Sequence, residues 1–247
     1  MFFKLFFKLF LFFCLAITTS VKSEANSSSK RPPPPRRIPP NKVKPGGGLN
    51  FSLQSCDAGD RSLTALVPID NPVLTTKAYP SFLFYVPDLP TSMSRGEFSV
   101  LTADEKQRIY QTAIPLDRAP GIIKIDLPPA PQNSLAKERL YHWYFKIYCQ
   151  DSTVVNRYLD VNGWIKRVEL TPAIEAKLAN SSPDIWYDAI AAEADKIIAN
   201  PQSSTQNDSW SRLMRHIDRE YLTDMIIPIH SVSSTSRKET QRKLKLE

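Results

Sequence analysis

The stretch Arg139–Cys149, which reads RLYHWYFKIYC, constrains the fold most. Six of its eleven residues are aromatic or β-branched, the types that favour a pleated, half-buried surface. Because side chains alternate along a strand, one face is apolar and ends in a cysteine. The stretch therefore predicts the central strand of a β domain. Its apolar face holds Tyr141, Trp143, Phe145, Ile147 and Cys149, and its other face holds His142, Tyr144, Lys146 and Tyr148.

The segment from Phe51 to Leu170 has a period of two and is broken repeatedly by turn residues, which favours a sandwich over an open sheet. After Thr171 the period becomes helical, and three short apolar stripes need a surface to pack against. We predict a mainly β fold, an antiparallel immunoglobulin-like β-sandwich with two or three short C-terminal α-helices docked on it. The seven predicted strands are Arg61–Val67, Ser81–Val86, Glu97–Leu101, Arg108–Ile114, Gly121–Leu127, Arg139–Cys149 and Tyr158–Leu170.

The two ends of the chain differ from its middle in composition. Residues 1–25 have the lysines, the short apolar run LFLFFCLAI and the small residues of a signal peptide. A membrane anchor is the lesser alternative, because a spanning helix needs roughly 20 apolar residues. We predict a disordered Pro/Arg/Gly-rich linker over 26–48, the sandwich with its helices over 49–230, and a disordered basic tail over 231–247. The expected location is the periplasm or the extracellular space, with no transmembrane helix after signal removal.

Removal of the signal peptide leaves two cysteines, Cys56 and Cys149. An even pair in an exported chain predicts one disulfide. Metal binding is the lesser alternative, because neither cysteine has another Cys or a His at ligand spacing.

The net charge of +7 is unevenly distributed. The signal peptide carries +2, residues 26–48 carry +6 and residues 237–247 carry +3, so Leu49–Ser236 carries −4. A nucleic-acid-binding fold would carry a basic stripe on its folded surface, so this distribution argues against nucleic acid as a partner. The basic tails could instead touch an anionic membrane or wall surface.

Residues with catalytic potential are few, and we predict no catalytic residue, no metal site and no cofactor. The sequence has no HExxH, GxSxG, P-loop or GxGxxG motif. His142 is expected to face solvent, with no nearby acid to orient it. Carboxylate pairs such as Glu97 and Asp126 would suit a glycan hydrolase, but many such pairs arise by chance.

Outward-facing aromatic residues give the better functional signal. On a sandwich they can stack on sugar rings or anchor a partner, but the favoured interpretation is that they form the floor on which the C-terminal helices dock. Trp186 is expected in the core, while its two successors point elsewhere and could reach a partner. The candidate ligand-binding residues are Tyr85, Tyr144, Tyr148, Trp164, Tyr187 and Asp188.

Six short blocks occur in an order that resembles a secreted cyanobacterial family, the domain of unknown function 928. The blocks are LTALVP, PSFLFYVP, PGIIKIDLP, YHWYFKIYC, VNGWIKRV and IWYDA, and the resemblance covers about Ser52 to Leu222. It implies an exported protein of cyanobacterial type, and it brings no activity, cofactor or catalytic residue with it.

Three functions remain open at this point. The favoured one is a non-catalytic envelope or extracellular binding module for polysaccharide or another envelope protein. The main alternative is a hydrolase acting on cell-wall or extracellular glycans. The third is a structural accessory of a secretion or adhesion system. A pocket with convergent acids or a His–acid pair would favour the enzyme, and a flat aromatic patch would favour the binder.

Overall fold

A computed structural model describes residues 38–44, 63–90, 93, 95–117, 119–148, 158–200, 208–223 and 229–232. The predicted signal peptide, the predicted disulfide between Cys56 and Cys149, and all but the first two residues of the predicted tail lie outside these ranges. Within the described ranges, no helix is long and apolar enough to span a bilayer.

The part of the chain that the structure describes contains nine strands. They are β1 (Thr64–Ala65), β2 (Val73–Thr75), β3 (Ser81–Val86), β4 (Arg95–Thr102), β5 (Arg108–Pro115), β6 (Gly121–Asp126), β7 (Leu140–Tyr148), β8 (Tyr158–Arg167) and β9 (Ile229–Val232). They form a five-stranded sheet with the order β2-β8-β7-β4-β5 and a four-stranded sheet with the order β1-β3-β6-β9. Most neighbours are antiparallel, but β2 with β8 and β6 with β9 are parallel.

The predicted central strand is β7, which lies in the middle of the five-stranded sheet. Its apolar face is buried and packs against the inner face of β3, where the Trp143 ring lies 5.4 Å from Phe84 and 6.2 Å from Phe82. Phe84 also lies 4.6 Å from Phe145. These contacts between the two sheets form the core of a β-sandwich, as the sequence predicts.

Among the described residues after β8 there are three α-helices: α1 (Pro172–Ala179), α2 (Trp186–Ala199) and α3 (Asp208–His216). Thr171 caps α1 through its hydroxyl, which accepts a hydrogen bond from the Ile174 N–H. The predicted apolar stripes of α2 and α3 are buried, whereas α1 has no buried residue and Tyr221 is 39% exposed. The predicted docking of two or three helices is therefore confirmed, with α2 and α3 as the two that dock through buried side chains.

Helix α2 and the turn that follows α3 pack on the outer face of the four-stranded sheet. Leu83 and Tyr85 on β3 and Ile122 on β6 point away from the sandwich core, yet all three are buried. Tyr85 contacts Tyr221 in the 3-10 turn Glu220–Leu222 at a ring distance of 6.5 Å. We call α2, α3 and this turn the helix layer.

The folded part extends beyond both predicted boundaries. Asn41 and Val43 lie in the predicted linker but are buried, and Lys42 exchanges backbone hydrogen bonds with Asn162 at the edge of β8. At the other end, β9 continues to Val232 and includes two residues of the predicted tail. Strands β2 and β9 were not predicted, because each is only three or four residues long and pairs in parallel with a distant strand.

A buried lysine joins β6 to α2. Lys124 is 6% exposed and donates hydrogen bonds to Asp126, at 2.7 Å, and to Asp195 on α2, at 2.9 Å. Burial alone would lower the pKa of Lys124, but these hydrogen bonds outweigh it and raise the pKa above 10.5. Burial likewise opposes the lowered pKa of Asp126, which hydrogen bonds from Lys124 and Ser81 hold below 3.8.

We expect the Lys124 contribution to stability to be complete below pH 10.5 and to be lost as the pH rises through the raised pKa. Lys124→Met should therefore lower the free energy of unfolding by about 1–2 kcal/mol at neutral pH, because the two carboxylates remain partly solvated. The difference from the wild type should shrink above pH 10.5 in denaturant titrations. Lys177→Met, which breaks the exposed Asp184 pair, should change stability by less than about 0.5 kcal/mol. A difference that persists unchanged at high pH would contradict this assignment.

Candidate binding face

The outer face of the five-stranded sheet lies on the side of the sandwich opposite the helix layer. Strand register places four rows of side chains across β4, β7 and β8 on this face. We call these twelve residues the aromatic face, because each row except the charged third one contains a ring. The rows are Leu101–His142–Trp164, Ser99–Tyr144–Asn162, Glu97–Lys146–Asp160 and Arg95–Tyr148–Tyr158.

Three rings cluster at one end of the aromatic face. The imidazole of His142 lies parallel to the Trp164 ring, at 4.0 Å between centroids and 4° between planes. The ring of His142 also contacts the ring of Tyr144, with 4.4 Å between their centroids. His142 is 6% exposed because these two rings cover it, whereas Trp164 and Tyr144 remain half-buried.

A chain of polar contacts holds this cluster in place. Glu105, in the turn between β4 and β5, places its carboxylate oxygen 2.6 Å from Nδ1 of His142 and accepts a hydrogen bond from the Tyr144 hydroxyl at 2.8 Å. On the other side, Nε2 of His142 lies 3.2 Å from the Asn162 side-chain oxygen. The Asn162 amide donates to Asp160, so its orientation is determined.

Lys42, which lies outside the strands, adds the last contact to this series of polar contacts. It donates to Asp160 at 2.5 Å, so a residue from the predicted linker supports the face. The backbone N–H of Trp164 donates to the Asn41 side chain at 2.8 Å, which fixes the same segment against β8. Rings and polar groups are therefore held before any ligand arrives.

Hydrogen bonds and burial fix the ionisation states of one acid and two tyrosines of this region at neutral pH. The hydrogen bond from Tyr144, followed by that from His142, holds the pKa of Glu105 below its usual value, so this carboxyl is an anion. Burial, followed by the hydrogen bond to Glu105, raises the pKa of Tyr144. Burial also raises the pKa of Tyr148. Both tyrosines therefore present neutral hydroxyl groups.

The other end of the face combines rings with cations. The ammonium group of Lys146 lies 4.7 Å from the Tyr158 ring centre and 5.5 Å from that of Tyr144. Arg95 lies over Tyr148 at 5.7 Å, and Tyr148 contacts Tyr158 at 5.9 Å. Tyr158 is the most open ring, with 43% of its surface exposed.

A model of the family Domain of Unknown Function (DUF928) matches residues 44–226 of this chain. The chain belongs to the DUF928 family. No curated protein matches it. One solved structure that does is the fn3 domain of the human collagen alpha-1(XX) chain, with 10% sequence identity over 42% of this chain and 90% of that chain. Its TM-score of 0.25 gives this likeness no weight for fold or function.

The DUF928 chain brings three of the six predicted ligand-binding residues together. The aromatic face contains Tyr144, Tyr148 and Trp164. The prediction that they form the floor beneath the helices is wrong, because the helix layer covers the other sheet. Tyr85 is that floor instead: it is 2% exposed and faces Tyr221.

Tyr187 and Asp188 do not reach outward, which corrects their assignment. Tyr187 is 3% exposed, and its hydroxyl accepts a 2.6 Å hydrogen bond from the Trp143 indole inside the sandwich. Burial raises its pKa. Asp188 is 7% exposed and accepts hydrogen bonds from the hydroxyls of Thr75 and Thr76, so it ties the start of α2 to the end of β2.

The prediction that His142 faces solvent without a nearby acid is also wrong. His142 is buried, and the carboxylate of Glu105 lies beside its ring. The signal that could have found this pair is the β4–β5 hairpin, whose turn must lie beside the first residues of β7 once β4 and β7 are paired. Glu97 and Asp126 do not converge, because they point from opposite outer faces of the sandwich. No group of three metal-binding side chains exists within the described ranges.

A concavity of about 270 Å³ lies elsewhere, at the β3–β4 and β5–β6 connections. Among its described lining residues, Asp88 and Asp117 supply the carboxylates, and both residues are exposed. None of these described lining residues belongs to the aromatic face or to the His142–Glu105 pair. The lining residues are Asp88, Leu89, Pro90, Met93, Pro115, Leu116, Asp117 and Ala119.

Proposed function

We propose that this chain is an exported, non-catalytic module that binds polysaccharide through the aromatic face. The observation that carries the proposal is the set of partly exposed rings on one sheet face, outside the helix layer and held by ring contacts and hydrogen bonds. Exposed apolar area of this kind on a folded domain marks interaction surfaces. The rings are Tyr144, Tyr148, Tyr158 and Trp164.

The composition of the face suits a sugar. An aromatic ring offers an apolar plane against which the C–H face of a sugar can pack, while its polar edge stays hydrated. Carboxylate, amide and hydroxyl groups beside the rings, such as Asp160, Asn162 and the Tyr148 hydroxyl, can hydrogen-bond the sugar hydroxyls. A ligand that alternates apolar and polar surfaces is therefore favoured over a purely apolar one.

The shape of the face favours a chain-like ligand. From His142 to Tyr148 the strand advances roughly 20 Å at about 3.3 Å per residue. The charges along it are balanced, because Lys146 lies between Glu97 and Asp160 and because Lys42 pairs with Asp160. We therefore infer a neutral polysaccharide rather than an anionic one.

Affinity electrophoresis in gels containing a soluble neutral glucan, hydroxyethyl cellulose, tests this function. We expect the wild type to be retarded and Tyr158→Ala and Trp164→Ala each to weaken binding about two- to tenfold, since one aromatic contact contributes about 0.5–1.5 kcal/mol. Tyr221→Ala is the matched control, because Tyr221 is similarly exposed but lies on the helix side. Retardation by alginate, an anionic polysaccharide, should come from the basic tails and should therefore be unchanged in Tyr158→Ala and Trp164→Ala.

Two outcomes would contradict the proposal. One is a wild type that migrates equally with and without neutral polysaccharides of several linkages. The other is an equal loss of retardation in Tyr221→Ala, which would place binding elsewhere. Release of reducing ends from the glucan would favour the hydrolase instead; we do not expect it, because both ring nitrogens of His142 are occupied and the ring is covered.

Export and the basic tails belong to the same proposal. A signal peptide over residues 1–25 and a disulfide between Cys56 and Cys149 would suit a domain that works outside the cytoplasm. The cationic residues of 26–48 and 237–247 would hold it near an anionic membrane or wall surface. Lys42 is one exception, because it is paired with Asp160 within the fold.

A further inference from the structure

Both ring nitrogens of His142 face oxygen atoms that accept hydrogen bonds. Nδ1 lies 2.6 Å from a carboxylate oxygen of Glu105, and an ionised carboxylate can only accept. Nε2 lies 3.2 Å from the side-chain oxygen of Asn162. The orientation of that amide is set at its other end, because its nitrogen donates to the carboxylate of Asp160. Each ring nitrogen of His142 must therefore carry a proton for both contacts to be hydrogen bonds.

A neutral imidazole cannot make both hydrogen bonds. It has one N–H group, and its second nitrogen presents a lone pair. In either tautomer that lone pair would face an oxygen atom, of Glu105 or of Asn162. Because His142 is only 6% exposed, solvent has little access to replace the missing donor, and a buried acceptor without a donor is costly. The imidazolium form, with its two N–H groups, satisfies both oxygen atoms.

The surroundings of His142 suit a buried cation. Glu105 is an anion, because hydrogen bonds from Tyr144 and then from His142 hold its pKa below the usual value. On its flat side, the ring lies parallel to Trp164 at 4.0 Å, and the electron-rich face of an indole attracts a cation. The charge would therefore be paired with an anion and stacked on a ring, which offsets the cost of removing it from water.

Other charged groups on the elements packed against His142 have partners of their own. The titratable group beside it on β7, the hydroxyl of Tyr144, stays neutral because burial raises its pKa. The contacts with Glu105 and Asn162 therefore decide the charge of His142. The other partnerships are Lys42 with Asp160, Lys106 with Asp104, Arg108 with Gln111, Lys166 with Glu138, and Lys146 with the Tyr144 ring.

We propose that His142 is a positioning residue of the aromatic face that carries a proton on both ring nitrogens. Loss of the second proton would break its contact with Glu105 or with Asn162 and would release the ring that lies between Tyr144 and Trp164. The aromatic face is then held most firmly while His142 is charged, and its support weakens as the pH rises and the second proton leaves. The effect on glycan binding, unlike the charge itself, rests on the proposed function.

Nitrogen NMR of the histidine rings, in the full chain without glycan, tests the charge. An ordinary histidine is mostly neutral at about pH 7, above its usual value of about 6.5. We expect both ring nitrogens of His142 to be protonated at that pH, with its signals assigned by their loss in His142→Gln. One protonated and one bare nitrogen in the wild type would overturn the proposal.

Glu105→Gln is the second variant in this measurement. It should reduce the doubly protonated fraction of His142, because an amide can accept the hydrogen bond but lacks the negative charge. Glu138→Gln is the matched control: its φ of 56° is close to the 58° of Glu105, but its carboxylate pairs with Lys166. An equal effect of the two substitutions on the His142 signals would contradict the role of the Glu105 contact.

Affinity electrophoresis in hydroxyethyl cellulose at different pH values tests the positioning role. Between about pH 6 and pH 9 we expect wild-type binding to weaken about three- to tenfold, as for the loss of one hydrogen bond. The lowered pKa of Glu105 and the raised pKa values of Tyr144 and Tyr148 keep these three groups in one ionisation state across this range. His142→Gln has no proton to lose here, so its binding should not depend on pH.

The two measurements separate the proposals. A wild type that does not bind glycan contradicts the proposed function, while the NMR spectra, recorded without glycan, still decide the charge of His142. Equal retardation at both pH values, in a wild type whose spectra show His142 losing its second proton between them, would overturn the positioning role. The same pH dependence in His142→Gln as in the wild type would also overturn it.

Discussion

Replacement of Trp186 by alanine should lower the free energy of unfolding by about 3–5 kcal/mol, the usual cost of truncating a buried tryptophan. Trp186 is the first residue of α2 and is 1% exposed. Its indole N–H donates to the backbone oxygen of Leu66 at 2.8 Å, and its ring packs near-parallel to His216 of α3 at 5.8 Å. The substitution therefore removes contacts to both the sandwich and the helix layer.

Thermal and denaturant unfolding should remain a single cooperative transition in this variant, because α2 shares the core with both sheets. Tyr187 illustrates this sharing, since it contacts Phe82 of the four-stranded sheet and Trp143 of the five-stranded sheet. Ile198→Ala, on the same helix but 38% exposed, is the matched control and should cost less than about 1 kcal/mol. A separate transition of the helices, with the sandwich melting unchanged, would contradict a shared core.

The alternation of β7 and β8 was sufficient to predict which side chains form the core. In β8, Val161, Gly163 and Ile165 are buried, whereas Asp160, Asn162 and Trp164 are not fully buried. These patterns are readable because both strands are long and one face of each is buried against the opposite sheet. The start of α1 was equally readable, since the cap at Thr171 and the proline after it act locally.

Contacts between distant segments could not be read in this way. Asn41 enters the core from a segment whose composition is typical of a linker, and it does so through hydrogen bonds to Pro68 and Trp164. The composition of residues 26–48 is an average over the whole segment. It does not show that a few residues of the segment, such as Asn41, bind to a neighbouring strand. Short parallel strands such as β2 and β9 also depend on partners far along the chain.

The candidate site was predicted in its rings but not in its polar support. Side-chain alternation places Tyr144, Tyr148 and Trp164 outward without any knowledge of register. The contact of His142 with Glu105 requires the register of β4 against β7, which the sequence does not specify. Tyr85 shows the converse problem: it also points outward from its sheet, but only the positions of the helices decide that it is covered.

Gly163→Ala should lower the free energy of unfolding by about 3 kcal/mol, the upper part of the range for overpacked cores. A Cβ atom at this position would lie 2.5 Å from Cζ2 of Trp143 and 2.6 Å from the side-chain oxygen of Asn41. Neither neighbour can yield easily. Trp143 is fixed by the rings of β3 and by its hydrogen bond to Tyr187, and Asn41 is held by its own hydrogen bonds.

Gly96→Ala is the matched control for this prediction. Its added Cβ would lie 2.9 Å from Cε2 of Phe145 and 3.3 Å from Cβ of Ile114, so a smaller adjustment would accommodate it. Denaturant titration should therefore rank the free energies of unfolding as wild type, Gly96→Ala and Gly163→Ala, from highest to lowest. Because Asn41 also accepts the N–H of Trp164, Gly163→Ala should further disturb the aromatic face and weaken retention on the neutral glucan. A Gly163→Ala variant as stable as Gly96→Ala would mean that Asn41 is not inserted against β8, and would separate residues 38–44 from the fold.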